Sequence, residues 1–135
     1  MQVTGIHHHS VVVTDLKRAR AFYREVLGLE EAPTPPAFDD GIAWFSVGDQ
    51  QLHLLTAPRA DVPSGRHIAL HVRDGHAARS RARAAGLEVS ETTPIPGADR
   101  FFIADPDGNR IELICWTRPW TETVASEGLR VRHRD

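Results

Sequence analysis

The two halves of this sequence repeat each other with an offset of 59 residues, and this repeat restricts the fold more than any other feature. The offset separates Asp15 from Asp74, each at the start of a segment with helical periodicity. It also separates His8 from His67, which lie in segments typical of β-strands. The repeat predicts two modules with the same order of secondary-structure elements.

The length of 135 residues is that of one ordinary domain. We therefore predict a single domain, residues 1–135, with one module over 5–57, a second over 66–116 and a tail over 117–135. A hydrophobic fraction of 41% and a charged fraction of 25% exclude a disordered chain, a fibrous repeat and a coiled coil.

Each half has the pattern of a strand, a helix and then three strands. β-Branched and alternating residues mark the strands, and apolar residues at steps of three and four mark the helices. The fold class predicted is α+β, with two βαβββ modules that form a curved mixed sheet. The segments with assignable bounds are strands over 5–13, 42–47, 51–56, 66–72, 100–104 and 110–116, and helices over 15–27 and 74–85.

Capping and turn residues support these boundaries. Asp15 is a suitable N-cap for the first helix, and Gly28 is a suitable residue to end it. Gly48-Asp49 predicts a tight hairpin turn, and Asp105-Pro-Asp-Gly108 has the residues of a type I turn.

Alternation along the strands places four potential metal ligands on the sheet face that does not pack against the helices. In the strand over 66–72, Ile68 and Leu70 belong to one face and His67 to the other. The same parity holds for the three other strands that carry candidate ligands. The four residues assigned to this face are His8, His53, His67 and Glu112.

Imidazole and carboxylate groups form a ligand set for a divalent ion such as Fe, Mn, Zn, Ni or Co. With three protein ligands, open positions remain for a substrate or water, as a catalytic metal requires, and His53 is a candidate fourth ligand. The only cysteine, Cys115, excludes both an intramolecular disulfide and a CxxC metal site.

Three of the eight histidines are consecutive, at His7, His8 and His9. A purification tag usually has six histidines at a terminus beside linker residues, whereas this run continues into Val11–Val13, which is typical of a strand. We therefore treat the triplet as part of the first strand.

Several other residues share the parity of the candidate site. Aromatic walls suit a planar or apolar substrate, and Arg100 is suited to an anionic group. The residues predicted to line a substrate pocket are Ser10, Trp44, Gln51, His71, Arg100 and Phe102.

Four segments together resemble the vicinal oxygen chelate superfamily, which includes glyoxalase I, fosfomycin-resistance proteins, extradiol dioxygenases and bleomycin-resistance proteins. They extend over most of the chain, from residue 5 to residue 116. The segments are Ile6-His-His-His-Ser-Val-Val-Val-Thr-Asp-Leu16, Ala21-Phe-Tyr-Arg-Glu-Val-Leu-Gly-Leu29, Arg66-His-Ile-Ala-Leu-His-Val72 and Phe102-Ile-Ala-Asp-Pro-Asp-Gly-Asn-Arg-Ile-Glu-Leu113.

The resemblance implies paired βαβββ modules that form a cupped sheet around a divalent metal, with His8, His67 and Glu112 as ligands. It implies a metal-dependent enzyme whose small substrate chelates the metal through adjacent oxygens, with His53 or Glu112 moving a proton. It also implies a homodimer, in which one chain supplies His8 and His53 and the other supplies His67 and Glu112.

The resemblance leaves several activities open. Glyoxalase I has a glutamate where this chain has His53, which argues against lactoylglutathione lyase activity but leaves a related lyase or isomerase. A dioxygenase would use His53 or His71 as its acid–base group. Fosfomycin-resistance proteins use lysine and arginine groups and a potassium loop, and residues 94–99 do not resemble that loop. The non-enzymatic alternative is a protein that binds an antibiotic or an aromatic metabolite in the same cup.

The remaining composition limits the partners. A net charge of −2 without a basic stripe argues against nucleic acid. No apolar run approaches the roughly 18 residues of a membrane span, and no secretory signal is visible. We therefore predict a cytoplasmic protein with a small-molecule substrate and no membrane partner.

Overall fold

The computed structural model describes residues 1–38 and 40–119, so the tail predicted for residues 117–135 lies outside the described residues after Pro119. Within them, each half has the predicted order of a strand, a helix and three strands. The elements are β1 (His8–Val13), α1 (Leu16–Ala21), a π-helical segment (Phe22–Val26), β2 (Glu30–Ala32), β3 (Ile42–Val47), β4 (Gln50–Thr56), β5 (His67–His71), α2 (Gly75–Ala84), β6 (Ser90–Glu91), β7 (Ala98–Ala104) and β8 (Arg110–Trp116).

The first sheet has the strand order β1-β4-β3-β2, in which β1 is parallel to β4 and the other pairs are antiparallel. The predicted hairpin joins β3 to β4, because Val47 pairs with Gln50 across Gly48 and Asp49. Gly48 has a φ of 59°, a conformation that glycine adopts without strain at the first position of a type II′ turn.

One face of this sheet forms the core that the alternation predicts. Val13, Leu52 and Leu54 are fully buried on it. The helical segment contributes Phe22 and Tyr23, which are also buried. Burying side chains of this kind stabilises the fold by about 1.5–3 kcal/mol each.

The prediction of one α-helix through Leu27 is wrong beyond Ala21, where the chain continues as the π-helical segment. The amide of Leu27 donates to the carbonyl of Phe22, five residues back, at 3.2 Å. Thirteen positions separate Asp15 from Gly28, whereas twelve separate the equivalent residues of the second module. The wider turn accommodates this extra residue.

The second sheet has the order β5-β8-β7-β6. α2 begins after Asp74, whose carboxylate accepts from the amide of Ala77 at 3.0 Å, and it ends before Gly86, whose φ is 77°. Ile111 and Leu113 in β8 are buried as predicted, but Glu112 and Ile114 on the other parity are buried as well.

Some strand bounds differ from the prediction. β1 begins at His8 rather than at residue 5, and β5 is one residue shorter at each end than the predicted strand. β7 begins at Ala98, two residues before the predicted Arg100. These are end effects, because hydrogen bonding to a neighbouring strand rather than residue type decides where a strand ends.

The chain forms two compact units, of residues 1–68 with 104–111 and of residues 69–103 with 112–119. In the first unit, the predicted turn after β7 is tied to the first sheet and its helix. Tyr23 Oη donates to Asp105 Oδ2 at 2.8 Å, and Asn109 Nδ2 donates to the carbonyl of Val12 at 2.8 Å. In the described part of the chain, no helix is long and apolar enough to cross a membrane.

Candidate functional site

Three neighbouring strands of the first sheet carry part of the predicted site. In the register of the sheet, His53 on β4 pairs with Ser10 on β1 and with Trp44 on β3. His8 lies two residues before Ser10 on β1 and therefore on the same face. The alternation thus brings His8, His53 and Trp44 together, as the sequence predicts for residues of one face.

The rings of these residues form a stack. The centroids of Trp44 and His53 are 4.3 Å apart at an interplanar angle of 3°, and those of His53 and His8 are 4.0 Å apart at 14°. Phe38 lies beyond Trp44 at 5.7 Å. Both faces of the His53 ring are therefore covered, and the residue is only 6% exposed.

His53 is oriented by Gln51. Its Nε2 lies 2.8 Å from Gln51 Oε1, and because an amide oxygen can only accept, Nε2 carries the proton and Nδ1 is the acceptor. Burial lowers the pKa of His53, and the electrostatic interaction with the neighbouring His8 and His7 rings lowers it further. The imidazole is consequently a neutral base at neutral pH.

His67 is the first residue of β5 and is exposed. Its Nδ1 lies 2.9 Å from the carbonyl oxygen of Gly65. A carbonyl can only accept, so Nδ1 carries the proton and the lone pair of the neutral ring is on Nε2. A hydrogen bond of this kind fixes the tautomer and the ring orientation of metal-binding histidines.

Glu112 lies on β8 and is 5% exposed. Arg100 Nη1 donates to Glu112 Oε1 at 3.0 Å, while Arg100 Nε and Nη2 donate to the carbonyl of Thr93 at 3.2 and 2.8 Å. Arg100, predicted to hold an anionic group of the substrate, thus already holds the carboxylate of Glu112. The pair keeps a buried negative charge compensated.

The other predicted pocket residues are distributed over both sheets. Ser10 is exposed on β1, and His71 is exposed at the end of β5. Phe102 on β7 is buried and pairs with Ser90 on β6. Phe102 therefore contributes to packing more than to a substrate-accessible wall.

A cavity of about 320 Å³ lies in the first unit, close to Ser10 and His67. This volume is at the lower end of the range for small-molecule sites. Imidazole and guanidinium groups outnumber carboxylates in its wall, so its field favours a negatively charged group. The charged or ionisable lining residues are His9, Asp61, Arg66, His67 and Arg110.

The donor chemistry of His8, His67 and Glu112 fits a divalent metal ion. Two imidazoles and one carboxylate are a common set for Fe, Mn, Zn, Ni or Co, and the hydrogen bond on Nδ1 of His67 leaves its Nε2 as the donor atom. Over residues 1–38 and 40–119, no three His, Cys, Asp or Glu residues lie close enough together to hold one ion.

The stacked arrangement bears on whether His53 is a fourth ligand. Ring nitrogens donate in the plane of the ring, so the lone pairs of two parallel rings run side by side. His8 and His53, at 14° to each other, therefore do not converge on one ion in this conformation.

Sequence reasoning missed the side chain of His7. Its Nδ1 lies 2.8 Å from Nδ1 of His8, and the two rings meet edge to face with centroids 5.1 Å apart. The available signal was adjacency to His8. In the predicted strand over 5–13, however, alternation assigns His7 to the face opposite His8. Because β1 begins at His8, that rule does not apply to the side chain of His7.

Comparisons with known proteins show the family of this chain. A family model described as the Glyoxalase/Bleomycin resistance protein/Dioxygenase superfamily matches residues 5–113. Lactoylglutathione lyase of Salmonella typhimurium is 33% identical over 120 residues, which cover 79% of this chain and 89% of that protein. Metallothiol transferase FosB of Staphylococcus epidermidis is 26% identical over 122 residues, with 82% of this chain and 83% of that protein covered.

A solved structure has the same fold. The crystal structure of a glyoxalase family protein from Bacillus anthracis superposes with a TM-score of 0.79 at 31% sequence identity. The match covers 86% of this chain and 98% of that one. The α+β fold with two βαβββ modules is thereby confirmed.

Proposed function

Because this chain belongs to the Glyoxalase/Bleomycin resistance protein/Dioxygenase superfamily, we propose that it is an enzyme that uses a divalent metal to act on a small substrate with two adjacent oxygen donors. The observation that carries the proposal is the state of two candidate ligands. His67 has its tautomer fixed by Gly65, and Glu112 is a buried carboxylate held by Arg100.

The proposed metal ligands are His8, His67 and Glu112. A divalent ion held by them supplies a positive charge that polarises a substrate oxygen. Three protein ligands leave coordination positions for the two oxygens of the substrate, and the cavity beside His67 has the volume for a small molecule.

His53 is proposed as the proton-transferring residue. It is neutral at neutral pH, its Nδ1 is available as an acceptor through the bond from Nε2 to Gln51, and the stack with Trp44 and His8 fixes the plane of its ring. A fixed base with a lowered pKa is suited to take a proton from a bound substrate. Glu112 is the other candidate for this role, but Arg100 already uses one of its oxygens.

The working unit is proposed to be a homodimer in which each site combines residues of two chains. His8 and His53, which stack on each other, would come from one protomer. His67 and Glu112 would come from its partner. Mixing His8→Ala chains with Glu112→Ala chains tests this arrangement, since one site of each mixed dimer would then regain all its ligands.

Two reactions known for relatives are the first to assay. The relatives are lactoylglutathione lyase of Salmonella typhimurium and metallothiol transferase FosB of Staphylococcus epidermidis. The first assay therefore uses the hemithioacetal of methylglyoxal and glutathione as substrate, and the second uses fosfomycin together with a thiol. Catechols test the dioxygenase alternative. Glyoxalase I has a glutamate where this chain has His53, so of these two reactions the lyase reaction is the less expected.

A second candidate function is non-catalytic binding of an aromatic metabolite or antibiotic. The observation that favours it is the exposed edge of the stack, where Phe38 lies against Trp44. Flat aromatic molecules stack on such rings.

Metal analysis separates the two functions. Protein purified without a tag is expected to hold close to one divalent ion per chain, and His8→Ala and Glu112→Ala are each expected to lose it. His76→Ala removes an exposed histidine of α2 and serves as the matched control, which should retain the metal. Wild-type protein that is folded and dimeric but takes up none of the five metals would contradict the enzyme proposal.

A further inference from the structure

His7 lies immediately before β1, and its side chain contacts that of His8. The two Nδ1 atoms are 2.8 Å apart, a hydrogen-bond distance, and the rings are perpendicular. Two imidazole nitrogens can approach this closely only if one carries a proton and the other presents a lone pair. The contact therefore couples the tautomer of one ring to that of the other.

We propose that His7 is a positioning residue for His8: it accepts a hydrogen bond from Nδ1 of His8 and so presents Nε2 of that ring as a metal donor. The inference rests on the proposed metal-dependent function. If the bond ran in the opposite direction, Nδ1 of His8 would accept and Nε2 would carry the proton of the neutral ring. Such a ring has no lone pair at Nε2 to offer a metal.

The second module has the same arrangement at the equivalent position. His67, 59 residues after His8, has its Nδ1 held by the carbonyl oxygen of Gly65 at 2.9 Å. In both modules, a group just before the strand binds Nδ1 of the first histidine of that strand. In the first module, the side chain of His7 takes the place of the backbone carbonyl.

The face of the His8 ring is also supported. His53 stacks on it at 4.0 Å, while His7 meets its edge. Stacking limits the tilt of the ring, but a half-turn about the Cβ–Cγ bond keeps the same plane and exchanges the positions of Nδ1 and Cδ2. Only one of these two orientations allows the bond from Nδ1 to His7, which is therefore the contact that decides where Nε2 points.

The test is the affinity of the metal-free, full-length protein for Co²⁺, followed by the absorption bands of the bound ion and by competition with a chelator. Loss of an outer hydrogen-bond partner of a ligand usually weakens metal binding by about tenfold to hundredfold, and we expect this for His7→Ala. His7→Asn places an amide oxygen where Nδ1 was, so it should restore most of the affinity and the wild-type spectrum.

His7 is exposed, so both variants should fold, and circular dichroism checks this. His76→Ala is the control for removing an exposed histidine. Wild-type affinity in His7→Ala would overturn the inference, as would a His7→Asn protein as weak as His7→Ala. Failure of the proposed function differs from both, because then wild-type protein would not bind Co²⁺ or His8→Ala would bind it equally well.

Discussion

Arg20 and Arg79 occupy equivalent positions of the repeat, 59 residues apart, and each connects a helical segment to the strand that follows it. Arg20 Nε donates to Glu31 at 2.8 Å, and Arg79 Nε donates to Glu91 at 2.8 Å. In the second module, Arg79 also donates to both carboxylate oxygens of Asp99, at 2.9 and 2.8 Å. The shared pair thus became part of a network in one module.

A glycine at the start of α2 makes room for the additional bonds between Arg79 and Asp99. α2 begins with Gly75, whereas the equivalent first residue of α1 is Leu16. A Cβ on Gly75 would collide with the carboxylate of Asp99 and would lie 3.3 Å from Nη1 of Arg79. The missing side chain therefore provides the space in which the network forms.

The candidate site differs between the modules in a similar way. His53 and Glu112 are equivalent in the repeat, yet His53 is a neutral ring in an aromatic stack and Glu112 is a buried charge paired with Arg100. The same backbone position thus supports two kinds of chemistry. The neighbours of each side chain, rather than the strand that carries it, decide which kind is stable.

The largest difference between the modules should be seen when His53 and Glu112 are each replaced by glutamine. Glu112→Gln leaves the charge of Arg100, whose side chain is 16% exposed, without its carboxylate, and should cost about 3 kcal/mol of unfolding free energy. His53→Gln removes a neutral stacked ring and should cost about 1 kcal/mol. Urea unfolding at pH 7 measures both.

A double variant shows whether the unpaired charge is the cause. Arg100→Gln/Glu112→Gln removes both charges of this pair, so more than half of the lost unfolding free energy should return, whereas metal binding should not return. Equal losses in His53→Gln and Glu112→Gln would mean that the modules do not differ as described.

A smaller difference is expected between Arg20→Met and Arg79→Met, which keep most of the apolar stem of the side chain. Arg79→Met loses the bonds to two carboxylates and the contact of the guanidinium with the Phe101 ring, 4.5 Å from its centroid. We expect a loss of about 1.5 kcal/mol, against about 0.5 kcal/mol for the single pair of Arg20. Thermal or urea unfolding of the two variants side by side gives the comparison.

The stability lost in Arg79→Met should depend on pH, and the sign of this dependence follows from two carboxylates. Hydrogen bonds from Arg79 and its positive charge lower the pKa of Glu91 and the pKa of Asp99. The contribution of these two carboxylates to the free energy of unfolding is therefore present above their unfolded pKa values, near 4. It is lost as the pH falls through their lower folded pKa values. The difference between wild type and Arg79→Met should shrink from pH 7 to pH 3; a constant difference would contradict this account.

Much of the fold could be predicted because its determinants are local. Asp15, Gly28 and the Gly48-Asp49 turn act on the backbone within a few residues, and the alternation along β1 and β4 sorts their side chains onto two faces. The π-helical segment was readable in principle, since the repeat offset falls from 59 to 58 across the helix. Periodicity alone does not distinguish that inserted residue from a longer α-helix.

The candidate site was less predictable because its contacts join residues distant in sequence or outside the strands. Parity assigned His53 and Trp44 to one face, but not the stacking of their rings. Arg100 has the same parity as the site, and only its distance of 3.0 Å from Glu112 reveals that its charge is already used. Side-chain direction within a face depends on packing, which a pattern of residue types does not contain.

The smallest difference is expected at the helix caps, where the modules are most alike. The carboxylates of Asp15 and Asp74 each accept from the amide three residues on at 3.0 Å, and both residues are extended. Asp15→Ala and Asp74→Ala should each cost about 1 kcal/mol, and the asparagine variants should cost less because the amide oxygen still accepts. Since α1 gives way to a π-helical segment and α2 does not, losses equal to within about 0.5 kcal/mol would show that a cap acts only on the first turn of its helix.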